Sequence, residues 1–429
     1  MTRSWFRLSR SLRRTALAAT AIVALVAPTA VSAAPPGNDD FANATVINYA
    51  ALPYSTSLNP SGATDEGAEH EQYCGESHDS LWWRFAPTQT GVFRADTIGS
   101  DFSTQLDVFR GTTLAGLADV DCNYDINTDD PDQYTSRLTF KANAGSRYYI
   151  RATTEGVNEN PNVLVLHLRK TKALANDDYA NAKTIPSLPF ETDAVNINAT
   201  SQSNEPRVNQ CDSIGLTRWY AYTPQNDQTL RATTIGSEFD TILAAYTGAS
   251  IGTATQVACN DDTWYSTVNV HASSITFKAK AGVKYRFQVG GYYGNNGRLP
   301  FRVEKVAAEP NDDFANAMTA SPLPFLDHAN TQKATRQSGE VSNCEPAQNT
   351  VWYKHTAADT DPLHVFATSG GVLEPVVAVW TGTSVSSLTI VDCGSSVTFT
   401  PTAGQVYRFQ MTADAGRTGP ITFHLEDAP

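Results

Sequence analysis

Apolar and polar residues alternate along short stretches through most of the chain. In one example, apolar residues stand at every second position in two successive runs, first Phe277 and Ala279 and then Tyr285, Phe287 and Val289. Side chains of a strand point alternately to the two faces of a sheet, so this period of two predicts half-buried strands. Gly, Asn, Asp, Ser and Pro interrupt the pattern about every 8–12 residues, which is typical of an all-β sandwich.

The pattern occurs in three copies. Nearly the same octapeptide opens each copy, as GNDDFANA at 37–44, ANDDYANA at 175–182 and PNDDFANA at 310–317. The likeness continues through a tryptophan-containing phrase and a late Ala-Gly pair that reads as a hairpin turn. The sequence therefore predicts three tandem β-sandwich domains, over 38–170, 176–306 and 311–427.

The octapeptide is the one candidate for helix. In the third copy Asn311 or Asp312 could cap a first turn by accepting backbone N–H bonds, with Phe314, Ala315 and Met318 on one side. We therefore expect each domain to open with a short helical turn that docks the start of the chain onto the sandwich.

Residues 1–33 have the pattern of a secretory signal peptide. Five arginines precede an apolar run, Thr15–Val26, and Val31 and Ala33 suit the −3 and −1 positions of a cleavage site. We expect cleavage after Ala33 and secretion; the pair Arg13–Arg14 leaves open whether export is of the unfolded or the folded chain. No later segment reaches the ~20 continuous apolar residues of a membrane span.

Loss of the five arginines with the signal peptide takes the formal net charge from −13 to −18. An acidic surface of this kind repels nucleic acid and anionic lipid, so we expect neither as a partner. The acidic surface could bind divalent cations, or it could serve only to keep the protein soluble outside the cell.

The six cysteines fall two to each copy, at constant distances from the first shared tryptophan. Constant spacing in an exported chain predicts one disulfide within each domain. No CxxC pair or Cys/His cluster favours a metal site instead. The predicted pairs are Cys74–Cys122, Cys211–Cys259 and Cys344–Cys393.

These motifs together resemble tandem bacterial pre-peptidase C-terminal (PPC) domains. The resemblance rests on the phrase EPNDDFANA, the Trp-Tyr strand, the GSEFDT…YTG segment and the late AGxxYxF strand, and it covers residues 38–427. It implies jelly-roll-like sandwiches in a secreted bacterial protein. Members of the family bind calcium, polysaccharide or collagen-like polymers, and many are appended to a peptidase.

The resemblance also implies a calcium site at the start of the third domain. Glu309, Asn311 and Asp312 match the family's Glu-x-Asn-Asp segment, whose oxygens suit Ca²⁺. The first two copies depart from this motif, with Pro36 and Leu174 at the glutamate position, and the family's Asp-x-Asp before the aromatic strand is missing.

A second acidic stretch follows the later cysteine of each of the first two copies. Asp125, Asn127 and Asp129 have the alternate spacing of a calcium loop, and CNDDTWYSTVN at 259–269 is similar. The sharp-turn glycine and the final glutamate of an EF-hand are missing. A polar turn between strands and a weak Ca²⁺ site are both compatible with this pattern.

Aromatic residues cluster in the expected loops of the second copy, at Trp264, Tyr265, Tyr292 and Tyr293. Aromatic faces beside Asn and Asp side chains are suited to stack on sugar rings. The same residues could instead pack over the end of the sandwich.

No motif of a known active site is present: HExxH, GxSxG and the P-loop are all missing. We therefore expect a non-enzymatic secreted protein that binds or adheres to an extracellular polymer, a polysaccharide or a matrix protein, through several modules. The alternative is a calcium-stabilised accessory or structural protein without a polymer ligand.

Overall fold

The chain folds as three successive units of strands, here called units 1, 2 and 3. The structure is a computed structural model, and it describes residues 34–67, 69, 78–126, 134–154, 162–202, 204–206, 211, 213–263, 271–341, 349–370, 373–413 and 417–428. Residues from Ala34 to Pro429 cluster as a single compact body.

The strands follow one another in the same order in each unit. Those of unit 1 are β1 (Thr45–Ile47), β2 (Tyr54–Leu58), β3 (His78–Phe85), β4 (Gly91–Asp96), β5 (Thr104–Arg110), β6 (Ala118–Asn123), β7 (Arg137–Ala142), β8 (Tyr148–Thr154) and β9 (Leu164–Thr171). Those of unit 2 are β10 (Lys183–Thr184), β11 (Phe190–Val195), β12 (Ile214–Tyr222), β13 (Gln228–Thr233), β14 (Thr241–Thr247), β15 (Thr255–Asn260), β16 (Ser274–Ala279), β17 (Tyr285–Tyr292) and β18 (Arg298–Val306). Those of unit 3 are β19 (Met318–Thr319), β20 (Phe325–Asn330), β21 (Val351–Thr356), β22 (Leu363–Thr368), β23 (Pro375–Thr381), β24 (Thr389–Gly394), β25 (Ser396–Phe399), β26 (Val406–Ala413) and β27 (Pro420–Asp427).

Helical structure in the described residues is confined to single turns of 3₁₀ helix. These are Phe41–Asn43, Tyr49–Ala51, Leu114–Gly116, Tyr179–Asn181, Ile251–Thr253, Phe314–Asn316 and Thr331–Lys333.

Each unit is a jelly roll. In unit 1 a five-stranded sheet has the order β1-β3-β8-β5-β6 and a four-stranded sheet the order β2-β9-β4-β7, and units 2 and 3 repeat both orders. Without the short β1, which pairs in parallel with β3, the eight remaining strands pair antiparallel as 1-8-3-6 and 2-7-4-5. Two antiparallel sheets connected in this way form the double Greek key of a jelly roll. The predicted all-β class and the three sandwiches are confirmed.

The main core of each unit lies between its two sheets. In unit 1 it includes Trp83, Phe93 and Leu166, which come from both sheets. Strand β9 shows the alternation that the sequence predicts, since buried and partly exposed residues succeed one another along it.

The five-stranded sheet is also buried on its other face. All residues of β5 from Thr104 to Phe109 are buried, and Trp82 lies with Phe109 and Tyr149 in a second, smaller apolar layer. Phe41 of the opening octapeptide covers this layer, with its ring centroid 5.3 Å from that of Trp82. The start of each unit therefore docks onto the sandwich, as predicted, through the aromatic residue of its octapeptide.

The predicted helix cap is wrong. The turn in the third octapeptide is a 3₁₀ helix of three residues, Phe314–Asn316, and its N-cap is Asp313, which makes no side-chain capping bond. Asn311 and Asp312 lie outside the helix because each makes a different hydrogen bond. The amide of Asn311 donates to the carbonyl of Trp352, and the carboxylate of Asp312 accepts from Thr335.

The structure contains the predicted disulfide of unit 2. Cys211 and Cys259 are bonded, with their Cα atoms 6.2 Å apart. Cys122 and Cys393 are disulfide-bonded as well. Cys74 and Cys344 lie outside the described residues, so the pairings Cys74–Cys122 and Cys344–Cys393 stay predictions. Disulfides are typical of proteins that fold in an oxidising compartment, and this chain is compatible with an extracellular location.

None of the helices in the described part of the chain has the length and apolar character that a membrane crossing requires.

Candidate metal centre

Three potential metal ligands converge at one end of unit 2. They are Asp240, Asp262 and His271, and one ligand atom from each lies within 4.8 Å of the others. The Nδ1 atom of His271 is 3.8 Å from a carboxylate oxygen of Asp240 and 3.7 Å from one of Asp262. Asp240 is largely buried, whereas Asp262 and His271 are partly exposed. The group therefore has an open side toward solvent.

Strand ends position these residues. Asp240 directly precedes β14, and Asp262 follows β15 by two residues. His271 precedes β16, and its carbonyl accepts from the backbone N–H of Thr241 at 2.9 Å. This backbone contact holds the segment that precedes β16 against the start of β14.

Buried hydroxyl groups hold the same strand ends together. The side chain of Thr241 hydrogen-bonds that of Thr234 at 2.6 Å and that of Ser273 at 3.0 Å. The hydroxyl of Ser273 also donates to the carbonyl of Asp261 at 2.8 Å. The network ties the segments that carry Asp240, Asp262 and His271 to one another.

The chemistry of this set suits a transition metal such as Zn²⁺ better than Ca²⁺. Zn²⁺ binds imidazole nitrogen and carboxylate oxygen at about 2.0–2.2 Å, and the ligands of such a tetrahedron are about 3.4 Å apart. The separations of 3.7 and 3.8 Å at His271 are close to that value. Ca²⁺ takes six to eight oxygens, and a nitrogen ligand does not suit it.

The equivalent place in unit 1 has the same scaffold but different side chains. There the N–H of Thr104 donates to the carbonyl of Tyr134 at 3.0 Å. The three positions hold Ser103, Asp125 and Tyr134, so only one potential ligand remains. In unit 3 Glu374 stands in the place of Asp240, while the later loop is shorter and offers no counterpart of His271.

The acidic stretch containing Asp262 stands out in the sequence, whereas Asp240 and His271 do not. A signal for both was present: each is a departure from the first copy, Asp for Ser103 and His for Tyr134, at the edge of an otherwise similar phrase. Their proximity is not visible in the sequence, because they lie 31 positions apart with two strands between them.

The residues predicted to bind calcium at the start of unit 3 are already engaged. The carboxylate of Asp312 accepts from both the N–H and the hydroxyl of Thr335. The Nζ of Lys278, from unit 2, lies 2.9 Å from Asp312. Burial raises the pKa of Glu309, and its backbone carbonyl accepts from the N–H of Asp312 at 3.1 Å. A lysine ammonium thus pairs with the Asp312 carboxylate, which the resemblance assigns to a calcium ion. Calcium binding there stays a prediction that titration can test.

The other predicted site residues are only partly described. Asp125 lies two residues after the end of β6, and Asn127, Asp129, Trp264 and Tyr265 lie outside the described residues. Their predicted roles in calcium or glycan binding stay predictions.

Tyr292 and Tyr293 lie at the end of β17. The two rings are in edge-to-face contact, with centroids 4.6 Å apart, and Tyr293 also faces Tyr124 of unit 1 at 6.2 Å. The amide of Asn123 donates to the carbonyl of Tyr293 at 3.3 Å. Tyr293 thus contacts unit 1 as well as Tyr292, and both rings stay partly exposed. Their predicted role in glycan binding and its alternative, packing over the end of the sandwich, both stay predictions.

No family model matches this chain, and no curated protein matches it. The structures to which it is similar include a protein from an archaeal virus, described as a triple jelly-roll fold and turret assembly, at 9% identity over 82% of this chain and 81% of that one, with a TM-score of 0.16. Another is an uncharacterized protein from Burkholderia cenocepacia, at 8% identity over 60% of this chain and 83% of that one, with a TM-score of 0.19. A third is tripeptidyl peptidase 2, at 8% identity over 80% of this chain and 32% of that one, with a TM-score of 0.18. TM-scores this low support no inference, so the fold assignment rests on the strand pairing.

Proposed function

We propose that the chain is a secreted, non-enzymatic binding protein whose unit 2 holds an extracellular polymer through a divalent transition metal such as Zn²⁺. The observation that carries this proposal is the convergence of Asp240, Asp262 and His271 at one end of the sandwich. Three protein ligands leave a coordination position open on a four-coordinate ion.

The open position is suited to an oxygen of the polymer, either a hydroxyl of a polysaccharide or a carboxylate of a matrix protein. The partly exposed Asp262 and His271 leave the ion accessible from solvent. The resemblance to PPC domains favours polymers of these two classes. The signal-like first 33 residues and the disulfide of unit 2 favour secretion.

Calorimetric titration of the chelator-treated mature protein with Zn²⁺ and with Ca²⁺ tests the metal. Asp240→Ser and His271→Tyr introduce the residues of unit 1, so both should leave the fold intact. Each should weaken Zn²⁺ binding by at least the roughly 10- to 100-fold that loss of a mere outer-shell partner costs. Glu374→Ser, at the equivalent place in unit 3, is the control and should bind as the wild type does.

Glycan and matrix-protein arrays, probed with Zn²⁺ and with EDTA, test the ligand. Retention that needs Zn²⁺ and is lost in Asp240→Ser supports the proposal. Equal Zn²⁺ affinity in wild type and Asp240→Ser would show that Asp240 does not bind the ion, and would contradict the proposed metal centre. Zn²⁺-dependent melting without retention on any array would assign the metal a stabilising role only, and turnover of ester or peptide substrates would contradict the non-enzymatic part.

A further inference from the structure

The joint between neighbouring units is built twice from the same parts. Lys141 of β7 in unit 1 lies between Asp177 and Asp178 of the second octapeptide, with its Nζ 3.0 Å from Asp177. Lys278 of β16 in unit 2 lies 2.9 Å from Asp312 and 2.5 Å from the next acid of the third octapeptide. In both joints one ammonium group joins two adjacent carboxylates.

A threonine two residues before each lysine completes the joint. The hydroxyl of Thr139 donates to the carbonyl of Ile197 at 2.8 Å, and that of Thr276 donates to the carbonyl of Gln332 at 2.6 Å. Both strands are edge strands of a four-stranded sheet. An edge strand with Thr-x-Lys on its outer face is therefore what a unit presents to the octapeptide of the next.

The first octapeptide has the accepting half of this joint. Asp39 accepts from the N–H and the hydroxyl of Thr64, as Asp177 does from Thr200. Asp40 is exposed, and in the part of the chain that the structure describes no lysine or arginine pairs with either acid.

Two further features of unit 1 match an incoming edge strand. The carbonyl of Ser61 stands three residues before Thr64, as that of Ile197 stands three residues before Thr200. Glu66 accepts from the N–H of Phe41, where units 2 and 3 use the neutral Gln202 and Gln337. Unit 1 thus adds a negative charge beside its two aspartates.

The edge strand of unit 3 lacks the donating half. Thr398 of β25 corresponds to Thr139, but Thr400 stands at the position of Lys141, and both threonines are exposed. A second copy of this chain therefore offers its neighbour no ammonium group for Asp39 and Asp40.

We propose that the first octapeptide, with Asp39, Asp40 and the carbonyl of Ser61, is a docking site for a sandwich unit of another protein whose edge strand carries Thr-x-Lys. The charge of the acids and the two internal joints both specify this partner. With Thr400 in place of a lysine, a head-to-tail contact between copies of this chain lacks its ammonium group. Such a contact would generate filaments wherever its rotation does not close a ring.

The full mature chain supplies its own probe. The double variant Asp40→Asn, Thr400→Lys has a Thr-x-Lys edge and a weakened acceptor, so it can donate to the wild-type chain without polymerising. Mixed with wild type at about 1 mM, the effective concentration that a short linker gives the internal joints, it should form a 1:1 complex in sedimentation velocity. Thr400→Lys alone, with both halves, should form longer oligomers in proportion to concentration.

Two variants control for added charge and for misfolding. The donor Asp40→Asn, Thr402→Lys places the same lysine in the neighbouring turn and should not form the complex. Asp40→Asn as the acceptor should weaken the complex at least tenfold. Absence of a complex between correctly folded donor and wild type, as judged by circular dichroism, would overturn the proposal, and so would equal binding of the Thr402→Lys donor.

Discussion

Units 1 and 2 treat the same buried position in opposite ways. Arg151 of unit 1 lies opposite Trp82, the first tryptophan that the three copies share. It is 2.9 Å from both Asp107 and Glu69. Unit 2 has Gln288 and Ala244 at the positions of Arg151 and Asp107. Burial opposes the charge of the arginine, yet the two carboxylates raise its pKa above the ordinary value. Unit 1 therefore buries an ion triad at positions where unit 2 has a neutral glutamine and an alanine.

Unit 2 keeps the glutamate without the arginine. Glu205 accepts from the hydroxyl of Thr217 at 2.7 Å and from the indole N–H of Trp219 at 3.1 Å. Burial raises its pKa to about 8, so it is largely protonated at neutral pH. Both units thus place a hydrogen-bonded glutamate beside the tryptophan strand. Its charge is paired with Arg151 in unit 1 and largely removed by protonation in unit 2.

The largest effect is expected from Arg151→Gln, which gives unit 1 the residue of unit 2. It leaves Asp107 and Glu69 buried without their cation, and we expect unit 1 to lose about 5 kcal/mol of unfolding free energy. Hydrogen exchange of peptides from β3 and β8 measures this unit separately. Adding Asp107→Ala should restore part of the loss, and an unaltered exchange rate in the single variant would show that the triad contributes nothing.

A somewhat smaller effect is expected for the pH dependence of unit 2, through Glu205. The folded unit holds the proton up to about pH 8, whereas the unfolded chain releases it near pH 4.5. Because the folded state binds more protons in this window, the unfolding free energy of unit 2 should fall as the pH rises from about 4.5 to 8, by about 4 kcal/mol.

Glu205→Gln should remove most of this slope and stabilise unit 2 at pH 8. Hydrogen exchange of peptides from β12 and β17 at pH 5 and pH 8 measures both effects. If wild type and variant showed the same pH slope, the glutamate would not be the titrating group.

The smallest expected effect is that of Gln288→Met. Neither side-chain polar atom of Gln288 has a hydrogen-bond partner in the described part of the chain, although the residue is fully buried. A side chain of similar size without the amide should stabilise unit 2 by about 1 kcal/mol. The same exchange measurement applies, and a clear destabilisation would mean that the amide is satisfied after all.

The sequence alone was enough to predict the three sandwiches and the disulfide between Cys211 and Cys259. Alternation along strands such as β9 and a repeat length set by Asn38, Asn176 and Asn311 are local or periodic signals. The second, smaller apolar layer, which contains Trp82, Phe109 and Tyr149, could not be predicted in this way. A strand such as β5 that is covered on both faces has no alternation to detect.

The candidate site was only partly accessible to the same reasoning. Asp262 stood out in an acidic stretch, but its partners Asp240 and His271 come from other strand ends. The acids of the octapeptide were interpreted as caps or calcium ligands, because Lys278, the group that pairs with Asp312, lies 34 residues earlier in a different unit. Pairings across units depend on topology, which local patterns do not reveal.

The joint made by Lys141 and the second octapeptide also bears on how such a chain can lengthen. Every repeat with a Thr-x-Lys edge strand carries the donating half of the joint on that strand and the accepting half in its opening octapeptide. Duplicating one such segment of the gene would supply both halves of a new connection at once, with no compensating change elsewhere. A single lysine-to-threonine replacement in the edge strand of one unit would then be sufficient to prevent another unit from docking onto it.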